Sequence, residues 1–135
     1  MLCVKTLVQA SPIHGHGLFA AEPIAAGTVV WEFAAPDCRV PRATAAEALM
    51  HFGYVNPANP QWLVVCGDAS RWWNFADEPN CGELYSPTAD AEAPLVARRD
   101  IAMGEELTLG VETDADAARK LGAAFQPSNQ ISHAV

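Results

Sequence analysis

Over the first two-thirds of the chain, apolar residues come in short runs rather than at helical spacing. Val4 to Val8, Thr28 to Phe33, Trp62 to Cys66, Leu95 to Arg98 and Glu106 to Leu109 are each strand-length, rich in Val, Leu or aromatic residues, and bounded by turn residues. The pattern predicts a mostly β chain of many short strands. One helix is predicted from Ala43 to Phe52, entered from Pro41 with Thr44 as an alternative cap. It would turn Ala46, Leu49, Met50 and Gly53 inward and end before Asn56-Pro57 and Asn59-Pro60. A second is predicted from Asp114 to Ala123, where Thr113 and Asp116 resemble a capping box. Gln126 to Val135 has little periodicity and is expected to fray.

Two segments echo each other. Ala20-Ala21-Glu22-Pro23-Ile24-Ala25-Ala26-Gly27 and Ala97-Arg98-Arg99-Asp100-Ile101-Ala102-Met103-Gly104 share Ala, Ile, Ala and Gly at the same offsets, and each leads into a strand. A turn used twice accounts for this, with Ile plugging the core and Gly taking a positive-φ corner before the chain extends. Chance similarity in an Ala-rich chain is the competing account. Two copies this far apart do not make a solenoid.

At 135 residues the chain fits one domain, since ~150 residues per domain is usual. Residues 1–125 are assigned to it and 126–135 to the tail. Half the residues are apolar and 18% are charged, which excludes disordered and fibrous classes. No apolar run approaches the ~20 residues that span a bilayer, and Met1-Leu2-Cys3-Val4-Lys5 lacks a signal-peptide layout, so a cytoplasmic protein without membrane contact is expected. A formal charge of −8 argues against direct nucleic-acid binding, which needs clustered cations, and suits a basic partner; acidity as a simple aid to solubility is the alternative. Cys3, Cys38, Cys66 and Cys81 form no Cys-x-x-Cys pair, so neither a zinc site nor a redox motif is encoded and reduced, mostly buried thiols are expected.

Three segments carry candidate chemistry. Ser11-Pro12-Ile13-His14-Gly15-His16-Gly17-Leu18-Phe19-Ala20 follows a strand, and its glycines let backbone approach a ligand and offer it N–H and C=O groups. It lacks the third Gly of a dinucleotide fingerprint, and His14 and His16 have no carboxylate or Cys at ligand spacing, so they read as solvated loop residues rather than metal ligands. Arg71-Trp72-Trp73-Asn74-Phe75-Ala76-Asp77-Glu78-Pro79-Asn80-Cys81 suggests a chain that dives through the core and reverses at Glu78-Pro79-Asn80. Asn74 there can satisfy neighbouring backbone or hold a polar cofactor. In Gly104-Glu105-Glu106-Leu107-Thr108-Leu109 the adjacent acids face opposite sides of a strand and do not converge on one substrate; each is expected to be solvated or structurally paired.

In this order, the three segments resemble the SET domain of protein-lysine methyltransferases. His14 to Ala20 resembles its Gly-x-Gly segment. Arg71 to Cys81 resembles Arg-Phe-x-Asn-His-Ser-x-x-Pro-Asn-Cys, and Ala97 to Thr108 resembles Ala-x-x-x-Ile-x-x-Gly-Glu-Glu-Leu-Thr. The resemblance covers residues 4 to about 111. It implies a β-clip, SET-type fold: several short curved sheets around a knot-like crossing of the Asn74 segment with the strand from Glu106, plus one or two short helices. It also implies S-adenosylmethionine as cofactor beside that crossing, held by Gly15, His16, Gly17, Leu18, Phe19, Asn74 and Phe75, with no metal. A lysine of a basic protein or peptide would enter a narrow channel from the opposite face.

Such a site must favour the neutral amine of a lysine whose ordinary pKa is ~10.4, and desolvation and the sulfonium charge both push in that direction. Alignment of nitrogen, methyl and sulfur lowers the barrier further. In the family, tyrosine hydroxyls help hold that line. Here Val111 stands at the catalytic Tyr position, Glu32-Phe33 replaces an earlier Glu-Tyr, and Phe75-Ala76 replaces His-Ser. Tyr54 and Tyr85 are the only tyrosines, and Tyr85, on the strand leaving Asn80-Cys81, is the catalytic candidate, with an ordinary strand tyrosine as the alternative. A catalytically impaired binding module is therefore the competing function. No Cys cluster follows Val111 to make a zinc-bound lid, so the Thr113 to Ala123 helix or a second subunit must close the channel. A short chain without that lid suits a homodimer, for which the sequence encodes no interface.

Overall fold

The computed structural model describes residues 1–47, 49, 53–56 and 58–110. Val111, the expected helix from Asp114 to Ala123 and the expected tail from Gln126 lie outside the described residues. Among the described residues, ten short strands form four small sheets: β1 (Thr6–Ala10), β2 (His16–Ala20), β3 (Val29–Trp31), β4 (Cys38–Pro41), β5 (Gly53–Val55), β6 (Trp62–Val65), β7 (Asn74–Phe75), β8 (Cys81–Glu83), β9 (Leu95–Ala97) and β10 (Thr108–Leu109). β1 and β2 form a hairpin, β4-β6-β5 and β3-β9-β8 are antiparallel, and β7 pairs in parallel with β10. Each of the five predicted runs overlaps a strand, the first offset toward Ala10. The expected mostly β architecture stands.

One segment stitches these pieces together. Ala20 N–H donates to Glu105 O, Leu107 N–H donates to Leu18 O, and Phe19 bridges Glu106, so residues 105–107 run against β2. The same chain then continues as β10, where Thr108 faces Asn74 and Leu109 faces Phe75. The glycine-bent segment and the tryptophan-led segment thus share a single partner.

Asn80 fixes this crossing by standing in for backbone. Its Oδ1 accepts from Thr108 N–H at 2.8 Å, its Nδ2 donates to Glu106 O at 2.7 Å, and its N–H donates to Thr108 Oγ1 at 3.2 Å. A buried Asn is well suited to this, since its amide repeats the peptide's donor and acceptor. The core beneath holds Leu18, Val30, Trp31, Trp73, Cys81, Ile101 and Leu107.

The echoed turns form a matched pair. Ile24 and Ile101 exchange backbone hydrogen bonds of 2.9 and 2.8 Å, and both are buried. Gly27 and Gly104 have φ of 86° and 88°, and their N–H groups bond across to Ala97 O and Ala20 O. Each turn is closed by the same internal bond, from Thr28 to Ala25 and from Glu105 to Ala102. A repeated turn, rather than chance, is what the two segments encode.

The helix expected from Ala43 to Phe52 is corrected. Arg42–Thr44 is one 3-10 turn, and Ala45 is extended with ψ 136°. Leu49 N–H closes another short turn on Ala46 O. Ala48 and residues 50–52 lie outside the described residues. Gly53, expected on the helix's inner face, instead opens β5, where a Cβ would sit 2.1 Å from Val64 O. Pairing with the apolar strand β6 overrides local propensity here.

Candidate functional site

The site is built where β2, the end of β1 and β7 meet residue 106. Gly15 takes φ 48°, a conformation that suits glycine and swings the His14 and His16 carbonyls to one side. Asn74 enters from below, carried by a 3-10 turn (Ala69–Trp72) whose N-cap, Asp68, accepts from Ser70 N–H. Hydrogen bonds from Ser70 and Leu2 N–H hold the Asp68 carboxyl below its ordinary value despite the opposing effect of burial.

Asn74 is wholly buried. Its Nδ2 lies 3.1 Å from His14 O, 3.0 Å from His16 O and 2.9 Å from Glu106 Oε2. One amide has two hydrogens, so three acceptors crowd a donor that can serve two. Its own Oδ1 is buried and has no partner among the described residues. Glu106 is steadied from outside by Ser11 Oγ, at 2.8 and 3.0 Å from its two oxygens. A Cβ at Gly17 would lie 2.2 Å from Glu106 Oε2, so any side chain there would have to displace the carboxylate.

Three acceptors, one of them a carboxylate, thus converge on a single amide donor. This set suits a cation with several N–H bonds, such as an ammonium, and an orphaned buried oxygen has most to gain from one. At the rim, the His16 and Trp72 rings lie 5.6 Å apart, and the Arg71 guanidinium stands 5.6 Å from the Trp72 ring.

The expected site residues separate into groups. Gly15, His16, Gly17 and Asn74 come together, and Phe75 follows on β7 against Leu109. Leu18 and Phe19 continue β2, but the Leu18 side chain belongs to the core and its carbonyl accepts from Leu107. Tyr85 is corrected in its setting. β8 ends at Glu83, so Tyr85 lies two residues past the strand rather than on it, and it is 50% exposed. Tyr54 donates its hydroxyl to Glu92, a buried carboxylate also held by Arg39 and Asn56; burial first, and then the Glu92 charge, raise its phenol above the ordinary value. Phe33 lies beneath the Arg39 guanidinium.

Sequence reasoning missed Glu106 as a site residue. It does diverge from Glu105, as strand alternation requires: Glu105 pairs with Arg99, whose hydrogen bond holds its carboxyl below the ordinary range, while Glu106 turns to Ser11 and Asn74. Only the tight fit of Gly17 against it could have flagged the position, and that is a property of the folded chain. No cluster of His, Cys, Asp or Glu suited to a metal occurs among the described residues.

In an alignment 108 positions long that covers 73% of this chain, it is 32% identical to the Arabidopsis thaliana histone-lysine N-methyltransferase ATX2, and it spans 10% of that protein. Its fold superposes on the Chaetomium thermophilum Polycomb Repressive Complex 2 bound to GSK126, with a TM-score of 0.64 at 22% identity, covering 88% of this chain and 16% of that one. It also superposes on KRYPTONITE in complex with mCHG DNA and SAH, with a TM-score of 0.61 at 23% identity, covering 79% of this chain and 23% of that one. Residues 15–110 match the SET domain, and the chain belongs to that family.

Proposed function

We propose that this chain binds S-adenosylmethionine where the Gly15–Gly17 segment meets Asn74, and transfers a methyl group to a lysine of a basic protein. The observation that carries the reading is the buried Asn74 amide, whose Nδ2 is approached by the His14 and His16 carbonyls while its Oδ1 has no partner among the described residues. The cofactor's amino-acid part offers the ammonium that these acceptors suit. Family membership and the SAH named with one structural relative support the same cofactor. When bound, S-adenosylmethionine supplies an electrophilic methyl on sulfur. Asn74 and the two carbonyls orient the amino-acid end, Gly15 and Gly17 let backbone approach it, and Phe75 follows on toward the nucleoside. The substrate lysine must arrive neutral, and burial in an apolar channel favours that form.

A second reading has an observation of its own. The Tyr54 hydroxyl is committed to Glu92, Tyr85 is exposed, and Phe33 has no hydroxyl, which suits a module that binds the cofactor without rapid transfer. Isothermal titration with S-adenosylmethionine tests the shared claim, for which saturable binding is expected and none sinks both readings. Incubation with the radiolabelled cofactor and a mixture of basic proteins then separates them. Label on lysine upholds transfer; binding without incorporation upholds the module.

A further inference from the structure

We infer that Glu106 is the counter-ion of this site and sets its preference for ligands that carry a free ammonium. The role rests on the cofactor reading above and goes beyond it, because the carbonyls and Asn74 account for hydrogen bonds but bring no charge. Glu106 Oε2 lies 2.9 Å from Asn74 Nδ2, on the same amide that His14 O and His16 O approach. Two amide hydrogens cannot serve all three acceptors at once, and each oxygen keeps a lone pair for an incoming donor. The carboxylate is the acceptor that gains most from a cation, since charge-assisted bonds are about twice as strong as neutral ones.

Its placement is built rather than incidental. Ser11 Oγ reaches both carboxylate oxygens, and a side chain at residue 17 would collide with the carboxylate. Glu106 and the two carbonyls all lie at the Nδ2 end of Asn74, so the charge and the neutral acceptors share one side of the amide. An amide has no orientation preference of its own, so its neighbours decide which end points where. The chain thus fixes a charge, an orienting amide and two carbonyls around one small volume.

Titration of the full chain and of Glu106→Gln with two ligands tests this. SAH carries the amino-acid tail, and 5′-methylthioadenosine shares the nucleoside but lacks the tail. Gln keeps an acceptor for Asn74 and removes the charge. SAH affinity is expected to fall about tenfold or more, while methylthioadenosine affinity changes by less than about twofold. Equal losses for both ligands would mean that Glu106 only supports the fold, and unchanged SAH affinity would remove its role altogether; either overturns the inference. Ser11→Ala, which frees the carboxylate without deleting it, is expected to weaken SAH in the same direction by a smaller factor, and it serves if thermal melting shows Glu106→Gln unfolded. If the wild-type chain binds neither ligand, the cofactor reading falls and this role with it. Wild-type binding with an indifferent Glu106→Gln overturns this role alone.

Discussion

Cys66 and Cys81 are buried, and burial pushes their thiols up to about 11 and about 12. At Cys81 the nearby Arg98 and Arg99 pull the other way without prevailing. Because only the thiolate attacks, both should be inert in the folded chain. Cys3 and Cys38 are exposed. Iodoacetamide at mildly alkaline pH should therefore add two labels to the native chain and four once it is denatured, as counted by intact mass. A third native label would show that the core around Cys81 opens more readily than its packing implies. Expected from the sequence as mostly buried, the thiols divide evenly because Cys38 sits at the exposed start of β4.

At the scale of elements, three glycines carry distinct constraints. Gly27 and Gly104 need positive φ but face open space, so replacing either with Ala should cost about 1–2 kcal/mol in strain. Gly53 has the opposite problem, because a Cβ there meets the Val64 carbonyl and the β5–β6 pair must part. Urea unfolding should rank Gly53→Ala as clearly more destabilising than Gly27→Ala or Gly104→Ala. Equal losses would mean that β5 yields locally. The paired turns were legible in the sequence because Ile and Gly recur at fixed offsets and each states a local requirement. Gly53 was not, since its need comes from a strand that arrives later in the chain. The site divides the same way. Gly15, Gly17 and Asn74 announce themselves by residue type, whereas Glu106 looks like any strand glutamate until the fold sets it against Ser11 and Asn74.

For the whole molecule, a net charge of −8 creates a field that favours encounters with cationic partners. On the proposed reading, affinity for a lysine-rich peptide should fall steadily as salt rises, because the Debye length shrinks from about 30 Å at 0.01 M to about 3 Å at 1 M. SAH affinity, governed by short contacts, should change far less. Fluorescence anisotropy of a labelled basic peptide checks the first and titration the second; a salt-insensitive peptide would show that acidity serves solubility instead. The charge was visible from composition, but which acids remain available was not: Glu92 is buried against Arg39, and Asp37 pairs with the Met1 amine.

The mutual clasp of Ile24 and Ile101 also governs when this chain can fold. Each turn finds its hydrogen-bonding mate only across most of the sequence, so little of the native core is available to a half-made polypeptide. On the ribosome the first turn must wait, unsupported, until its counterpart has been synthesised. Cutting the gene between the two copies would yield a chain without its closing half rather than a smaller working domain.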